Sequence, residues 1–133
     1  MTERQMQIGE VAERTGLSLR TIRHYEEVGL VIPSARSKGG FRLYTEADVD
    51  RLMVIRRMKP LDFSLEEMRD LLEITDRIAA VDDPPTGEER DRLRERLDTY
   101  RKVTDARCET LRAQLMAAED FASTLRRRLG ARR

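Results

Sequence analysis

The stretch Ser18 to Tyr44, S-L-R-T-I-R-H-Y-E-E-V-G-L-V-I-P-S-A-R-S-K-G-G-F-R-L-Y, decides how the chain is read. Its first half has helical spacing. Arg20, Arg23, His24 and Glu27 fall at i, i+3, i+4 and i+7, on one helical face. Ile22 and Tyr25 take another face, and Val28 and Leu30 follow them. One side is therefore available for burial while the other offers two guanidinium groups and an imidazole. The second half is a basic hairpin turned at Gly39-Gly40, with Arg36, Lys38 and Arg42 and no acid. With Glu26 and Glu27 set against five basic residues, the stretch carries a net +3 in a chain whose total is +1. A basic helix followed by a basic hairpin points to a polyanion, DNA first.

Working toward the N-terminus, Ile8, Val11, Ala12 and Thr15 have helical spacing, after a start at Met1 to Met6 that reads as frayed. Gly16 supplies a helix-ending left-handed position and Ser18 a good N-cap. Two short helices, Ile8 to Thr15 and Leu19 to Val28, joined by G-L-S, form a helix-turn-helix pattern. Val31-Ile32-Pro33 leaves in extended form, and the turn at Gly39-Gly40 pairs Ile32 with Phe41 to Tyr44 as a small wing.

Toward the C-terminus, Thr45-Glu46-Ala47-Asp48 is a capping box opening a third helix. Its stripe is Val49, Leu52, Met53 and Arg56, with Ile55 and Met58 alongside, and Pro60 stops it. Ser64-Leu65-Glu66-Glu67 is a second box, with Leu65, Met68, Leu71, Leu72 and Thr75 as the buried face of a fourth helix. Asp82-Asp83-Pro84-Pro85 breaks the pattern, and Thr86-Gly87-Glu88-Glu89 reads as a third box. From Glu88 to Leu129 there is neither Pro nor Gly, which makes a rod of roughly 63 Å at ~1.5 Å per residue. Thr104, Cys108, Leu111, Leu115, Ala118, Ala122, Leu125 and Leu129 alternate four and three apart, a coiled-coil seam. Leu93, Leu97, Tyr100 and Val103 continue it upstream with a slipped phase. A helix this charged needs a partner for its stripe, and a second copy is the economical one. Arg126-Arg127-Arg128 and Arg132-Arg133 form a basic tail.

The expected division is a DNA-binding head with a helix pair over 7–80, a linker over 81–87, a dimerisation helix over 88–129 and a short basic tail over 130–133. At 133 residues the chain holds a modest core. Arginine outnumbers lysine 23 to 3, which suits phosphate and guanine edges but mostly reflects composition bias. One cysteine excludes an intrachain disulfide. With no signal-like or membrane-spanning run, a soluble cytoplasmic protein associated with the nucleoid is expected. No nucleophile–base pair, paired-carboxylate site or phosphate loop can be assembled, so no enzyme and no cofactor are expected.

The order of helix-turn-helix, wing, helix pair and long helix resembles the MerR family of transcriptional regulators. The match is carried by I-G-E-V-A-E-R-T-G-L-S (Ile8 to Ser18), R-T-I-R-H-Y-E-E-V-G-L (Arg20 to Leu30), G-F-R-L-Y-T-E-A-D (Gly40 to Asp48) and F-S-L-E-E-M-R-D-L-L (Phe63 to Leu72). The resemblance implies a mostly α fold: a winged helix-turn-helix head, a helix pair, and a long last helix forming an antiparallel coiled-coil dimer. It implies a recognition helix in the major groove, a wing beside the backbone, and activation by distorting an overlong promoter spacer so that RNA polymerase engages both elements.

Carried over by position, Arg20, Thr21 and Arg23 resemble recognition-helix contacts, with Ser18 at their cap among the contact candidates. His24 stands where the family usually has an aromatic residue, and an imidazole can still bond a phosphate. Arg42 and Tyr44 resemble the wing residues that grip phosphate; Arg36 and Lys38 are weaker wing candidates, and Lys59 reaches toward phosphate from the third helix. Leu97, Cys108, Leu111, Leu115, Ala118, Ala122 and Leu125 are the dimerisation candidates.

Members that sense soft metals use several cysteines, whereas this chain has one cysteine and one histidine, so no metal site is expected. Cys108 reads as a small seam residue. A thiol switch there needs Cys108 near the crossing point, and an unchanged oxidant response in Cys108→Ser removes it. Drug-sensing members carry a large ligand domain after the coiled coil; four residues after Leu129 leave no room for one, and the sequence names no small-molecule effector. Two other functions fit parts of the pattern. One is an architectural or recombination accessory protein that bends DNA without controlling polymerase. The other is a coiled-coil adaptor whose head binds protein.

Overall fold

A computed structural model describes residues 4–131. The backbone divides into two compact units between Asp76 and Arg77.

In the first unit, β1 (Met6–Gln7) leads into α1 (Ile8–Thr15), and α2 (Leu19–Glu27) follows after a tight turn. The turn is built from local chemistry. Gly16 sits at φ 73° and donates its N–H to the Ala12 carbonyl, closing α1 with a left-handed residue that costs a glycine nothing. The buried Thr15 hydroxyl donates to the Val11 carbonyl at 2.8 Å and accepts from Leu17 N–H at 3.2 Å. Ser18 then accepts from Thr21 N–H at 3.0 Å, capping α2.

The wing is β2 (Ala35–Arg36) and β3 (Arg42–Tyr44), antiparallel with Ala35 opposite Leu43 and Arg36 opposite Arg42. Its strand lies later than expected: Ile32 is outside the sheet and 74% exposed, and Phe41 precedes β3. β3 is the centre of a three-stranded sheet, because Met6 and Gln7 pair antiparallel with Tyr44 and Leu43. Met6 is thus a buried strand residue rather than part of a frayed start. A two-residue strand is too short to show a period, and its partners lie far along the chain. Met1 to Glu3 of that expected start lie outside the described residues, as do Arg132 and Arg133 of the basic tail.

α3 (Glu46–Met58) opens with the expected capping box: Thr45 N–H donates to Asp48 Oδ2 at 2.9 Å while Asp48 N–H donates to the Thr45 hydroxyl. It buries Val49, Leu52, Ile55 and Met58. Met53 is only half-buried, and Arg56 is exposed with its guanidinium resting against Gly16, so the expected stripe is rotated. A 3₁₀ turn (Lys59–Leu61) carries Pro60 and delivers the chain to α4 (Leu65–Ile78). α4 has the second capping box, Ser64 N–H to Glu67 Oε1 at 2.9 Å and Glu67 N–H to Ser64 Oγ at 3.0 Å. Its buried residues are Met68, Leu72 and Ile74; Leu65 and Thr75 are exposed, contrary to the expected face. The head core joins these to Val11, Ile22, Tyr25, Leu30, Val31, Tyr44 and Phe63. Each such side chain contributes about 1.5–3 kcal/mol by leaving water.

In the second unit, α5 (Gly87–Gly130) runs for 44 residues, ~66 Å at 1.5 Å per residue. The third expected box is absent: Thr86 makes no side-chain cap bond. Thr86 keeps the extended backbone of an N-cap and Gly87 takes φ 55°, but the Glu89 carboxylate is held by Arg77 instead, Nε at 3.0 Å and Nη2 at 2.9 Å. That pairing holds the Glu89 carboxyl below its ordinary range. Arg77 also donates to the Asp83 carbonyl at 2.7 Å, closing the linker between α4 and α5. The two caps therefore predict different outcomes. Ser64→Ala is expected to cost about 1 kcal/mol in urea unfolding, and Thr86→Ala to stay within ~0.3 kcal/mol of wild type. A Thr86→Ala loss matching that of Ser64→Ala would contradict the cap assignment. Among the described residues, no helix is long and apolar enough to cross a membrane.

Candidate nucleic-acid interface

The outer face of α2 carries Arg20, Arg23, His24 and Glu27 around one shallow concavity of about 550 Å3. A second, of about 500 Å3, runs from Arg20, Thr21 and His24 to Lys59, with Phe63, Leu65 and Asp62 on its far wall. The 3₁₀ turn therefore brings Lys59 onto the same surface as the α2 residues, although 35 positions separate it from His24. Among the described residues, Arg20, Arg23, His24 and Lys59 make no hydrogen bond or ion pair with a side chain, so their donors face outward. Glu27 and Asp62 are the acids on this surface.

Ser18 and Thr21 divide the work differently. Ser18 accepts from Thr21 N–H and donates its hydroxyl to Thr21 Oγ1 at 2.9 Å. Ser18 thus fixes the position of the Thr21 side chain. Tyr25 points to the core, as its phase required, and burial pushes its phenol up; its ring meets that of His24 at 5.9 Å between centroids.

The wing residues separate into those presented and those engaged. Lys38 is exposed in the turn. Arg36 donates to the Gly40 carbonyl at 3.1 Å and so braces the turn from its own strand. Arg42 Nε donates to Glu26 Oε1 at 2.7 Å. The hydrogen bond to Glu26, then its charge, raises the Arg42 pKa. Tyr44 departs from expectation: it has no exposed surface, and its hydroxyl donates to Glu26 Oε2 at 2.9 Å. Burial foremost, then this bond, pushes its phenol up. With its hydroxyl on Glu26 and no exposed surface, Tyr44 is not presented to a phosphate.

The C-terminal end of α2 is pinned from the opposite side. Arg51 donates to the Leu30 carbonyl at 2.6 Å and to Asp76 at 2.8 and 2.9 Å, and Arg69 donates to the Val28 carbonyl. Arg69 thus meets the C-cap carbonyl of α2, at the end of the helix dipole where positive charge is favoured, while Arg51 holds the segment that follows. Sequence reading missed Glu26, Arg51 and Arg69 as site-building residues, since each acts across 16 to 41 positions. The one available signal was two adjacent acids inside an otherwise basic stretch.

Residues 6–74 match the family model "MerR HTH family regulatory protein", and residues 49–118 match "MerR, DNA binding". The chain belongs to the MerR family. Members of this family are DNA-binding transcriptional regulators rather than enzymes. The nodulation protein NolA of Bradyrhizobium elkanii is 46% identical over 72 residues, which are 54% of this chain and 33% of NolA. The mercuric resistance operon regulatory protein of Bacillus cereus is 42% identical over 73 residues, 55% of each chain. This MerR-family chain thus spans about half or less of the length of the curated relatives it matches. Among solved structures, HiNmlR, described as a MerR family regulator lacking the sensor domain and bound to promoter DNA, superposes with a TM-score of 0.69 at 25% identity. That likeness covers 88% of this chain and 80% of HiNmlR.

On α5 the dimerisation candidates lie at graded exposure. Leu97, Cys108 and Ala122 are half-buried; Leu111, Leu115, Ala118 and Leu125 are exposed. Phe121, which does not fall on the four-and-three spacing, and Leu129 extend the exposed apolar surface. Arg101 pairs with Asp98 and Asp105 of its own helix, both at 2.8 Å. Among the described residues no group of three His, Cys, Asp or Glu is placed to hold a metal ion.

Proposed function

We propose that the chain acts as a homodimeric, sequence-specific regulator of promoter DNA. The head over 7–80 reads the duplex, 81–87 links it to a dimerisation helix over 88–129, and 130–133 continue as a basic tail. Arg20, Thr21 and Arg23 meet base edges, positioned by Ser18. His24, Lys38, Arg42 and Lys59 meet phosphate, and Arg36 and Tyr44 hold the wing that carries Arg42. The long helices pair antiparallel along Leu97, Cys108, Leu111, Leu115, Ala118, Ala122 and Leu125. Bound to an overlong spacer, the dimer distorts the DNA so that RNA polymerase engages both promoter elements, which places the protein in the cytoplasm at the nucleoid.

The observation that carries this reading is the outward face of α2, with two unpaired arginines on a helix capped at one end and clamped at the other. Family membership over the same residues supports it, as does the promoter complex of HiNmlR. Phosphate contacts supply most of the affinity of such a head and base contacts its specificity. Duplex binding is therefore expected to weaken on the order of 10³-fold or more between 50 and 200 mM salt. Weak binding at low salt that does not fall as salt rises would indicate the protein-binding adaptor instead. Transcription in vitro from a promoter with an overlong spacer separates a regulator from an architectural protein: bending without a change in transcript level favours the latter.

A further inference from the structure

We infer that Glu26 is a positioning residue for DNA binding: it ties the wing to the recognition helix and presents the terminal guanidinium nitrogens of Arg42 to a phosphate. This rests on the promoter-binding reading and assigns a role to a residue inside it. The carboxylate divides its two oxygens between two side chains of β3, Arg42 Nε on Oε1 at 2.7 Å and Tyr44 hydroxyl on Oε2 at 2.9 Å. Arg42 and Tyr44 are two apart in the strand and so share one face of it. The Glu26 side chain is 14% exposed, so these two donors take the place of most of the water around its carboxylate.

Its place in the chain also sets it apart. Glu26 lies in the last turn of α2, where the helix dipole disfavours an acid. A partner from outside the helix offsets that, and β3 supplies it. With Arg51 and Arg69 on the carbonyls of Leu30 and Val28, the end of α2 is held from both sides. The wing therefore keeps one angle to the helix before DNA arrives, which removes an ordering cost from binding.

The geometry at Arg42 separates presentation from masking. Guanidinium is a planar fork with two edges that each donate a pair of N–H bonds to an oxyanion. Glu26 takes the Nε position, and the side chain remains 35% exposed. Nη1 and Nη2 have no partner among the described residues. The end-on edge is then left for a phosphate, held in orientation by the carboxylate behind it. Lysine cannot do this, because one ammonium cannot be fixed by Glu26 and face outward as a fork.

The test uses the full chain and a fluorescein-labelled 40-base-pair duplex enriched from a random pool by the wild-type protein. Affinity is measured from 50 to 300 mM salt for wild type, Glu26→Gln, Arg42→Ala, Arg42→Lys and the Glu26→Gln/Arg42→Ala double variant. Glu26→Gln is expected to bind about 5-fold or more weakly and to flatten the log K against log salt slope as Arg42→Ala does, by about 0.9 per head. The double variant is expected to bind no more weakly than Arg42→Ala alone. Arg42→Lys is expected to lose the same part of the slope, and it carries the test should Glu26→Gln fail to fold by circular dichroism. Tighter binding or an unchanged slope in Glu26→Gln overturns the inference, as do additive losses or a wild-type slope in Arg42→Lys. A wild-type protein that enriches no duplex overturns the promoter-binding reading itself, and so is distinguishable from these outcomes.

Discussion

Replacing Arg23 with alanine is expected to reduce specific DNA binding about 30-fold to 10⁴-fold while leaving the dimer folded. The side chain projects from the middle of the exposed α2 face, beside Arg20 and His24. Nothing in the protein holds it among the described residues, so its removal leaves no buried group without a partner. A stability change within ~0.5 kcal/mol is therefore expected. The effect on DNA is much larger because a forked guanidinium contact to a guanine edge is worth about 1–3 kcal/mol. A symmetric dimer loses that contact twice, about 2–6 kcal/mol in all, and each ~1.4 kcal/mol is tenfold in affinity. Specificity should fall with affinity, so the variant approaches the same weak binding on any duplex. Fluorescence anisotropy on an enriched site and on a scrambled one reads both quantities. Equal losses on the two duplexes would make Arg23 a phosphate contact, and unchanged binding would remove it from the interface.

Much of this surface is legible in the sequence, because the features that build it are local. Gly16, Ser18, Thr45 and Ser64 each act within four residues of themselves, through a left-handed turn or a cap, and all four behave as read. The polar spacing of Arg20, Arg23 and His24 needs nothing beyond helical periodicity. What was not legible is pairwise and distant. Met6 finds Tyr44, Glu26 finds Arg42 and Tyr44, and Arg69 finds Val28, contacts that no helical period, turn or cap specifies. Tyr44 shows how this misleads. Its place in the wing suggested a phosphate contact, but a central strand flanked on both sides buries it, and a buried hydroxyl must find a protein partner. The failed cap at Thr86 has the same origin, since Arg77 competes for the acid that a capping box requires. Glu26 was counted only as a charge subtracted from a basic stretch, whereas its position gives two of those wing residues their orientation.

Placing glutamate at both Leu111 and Leu115 is expected to convert the dimer to monomers and to weaken DNA binding by on the order of 10²–10⁴-fold. Both leucines are exposed on α5, 44% and 59%, so the substitutions break no packing within a single chain. α5 itself persists, because glutamate is a good helix former and neither position is near its caps. The dimer does not persist: four carboxylates would enter one apolar seam, and burying an unpaired charge costs several kcal/mol per group. The loss of DNA affinity follows without touching a DNA contact. One head carries few phosphate contacts, and a second head on the same duplex rebinds at the high local concentration that linkage provides. Separating the heads removes that gain while each keeps its own caps and core. Light scattering should then report half the mass, and urea unfolding of the head should be unchanged within ~0.5 kcal/mol. A double variant that stays dimeric would show that the seam lies on another face of α5. A monomer that binds the same site with undiminished affinity would show that one head reads the DNA alone.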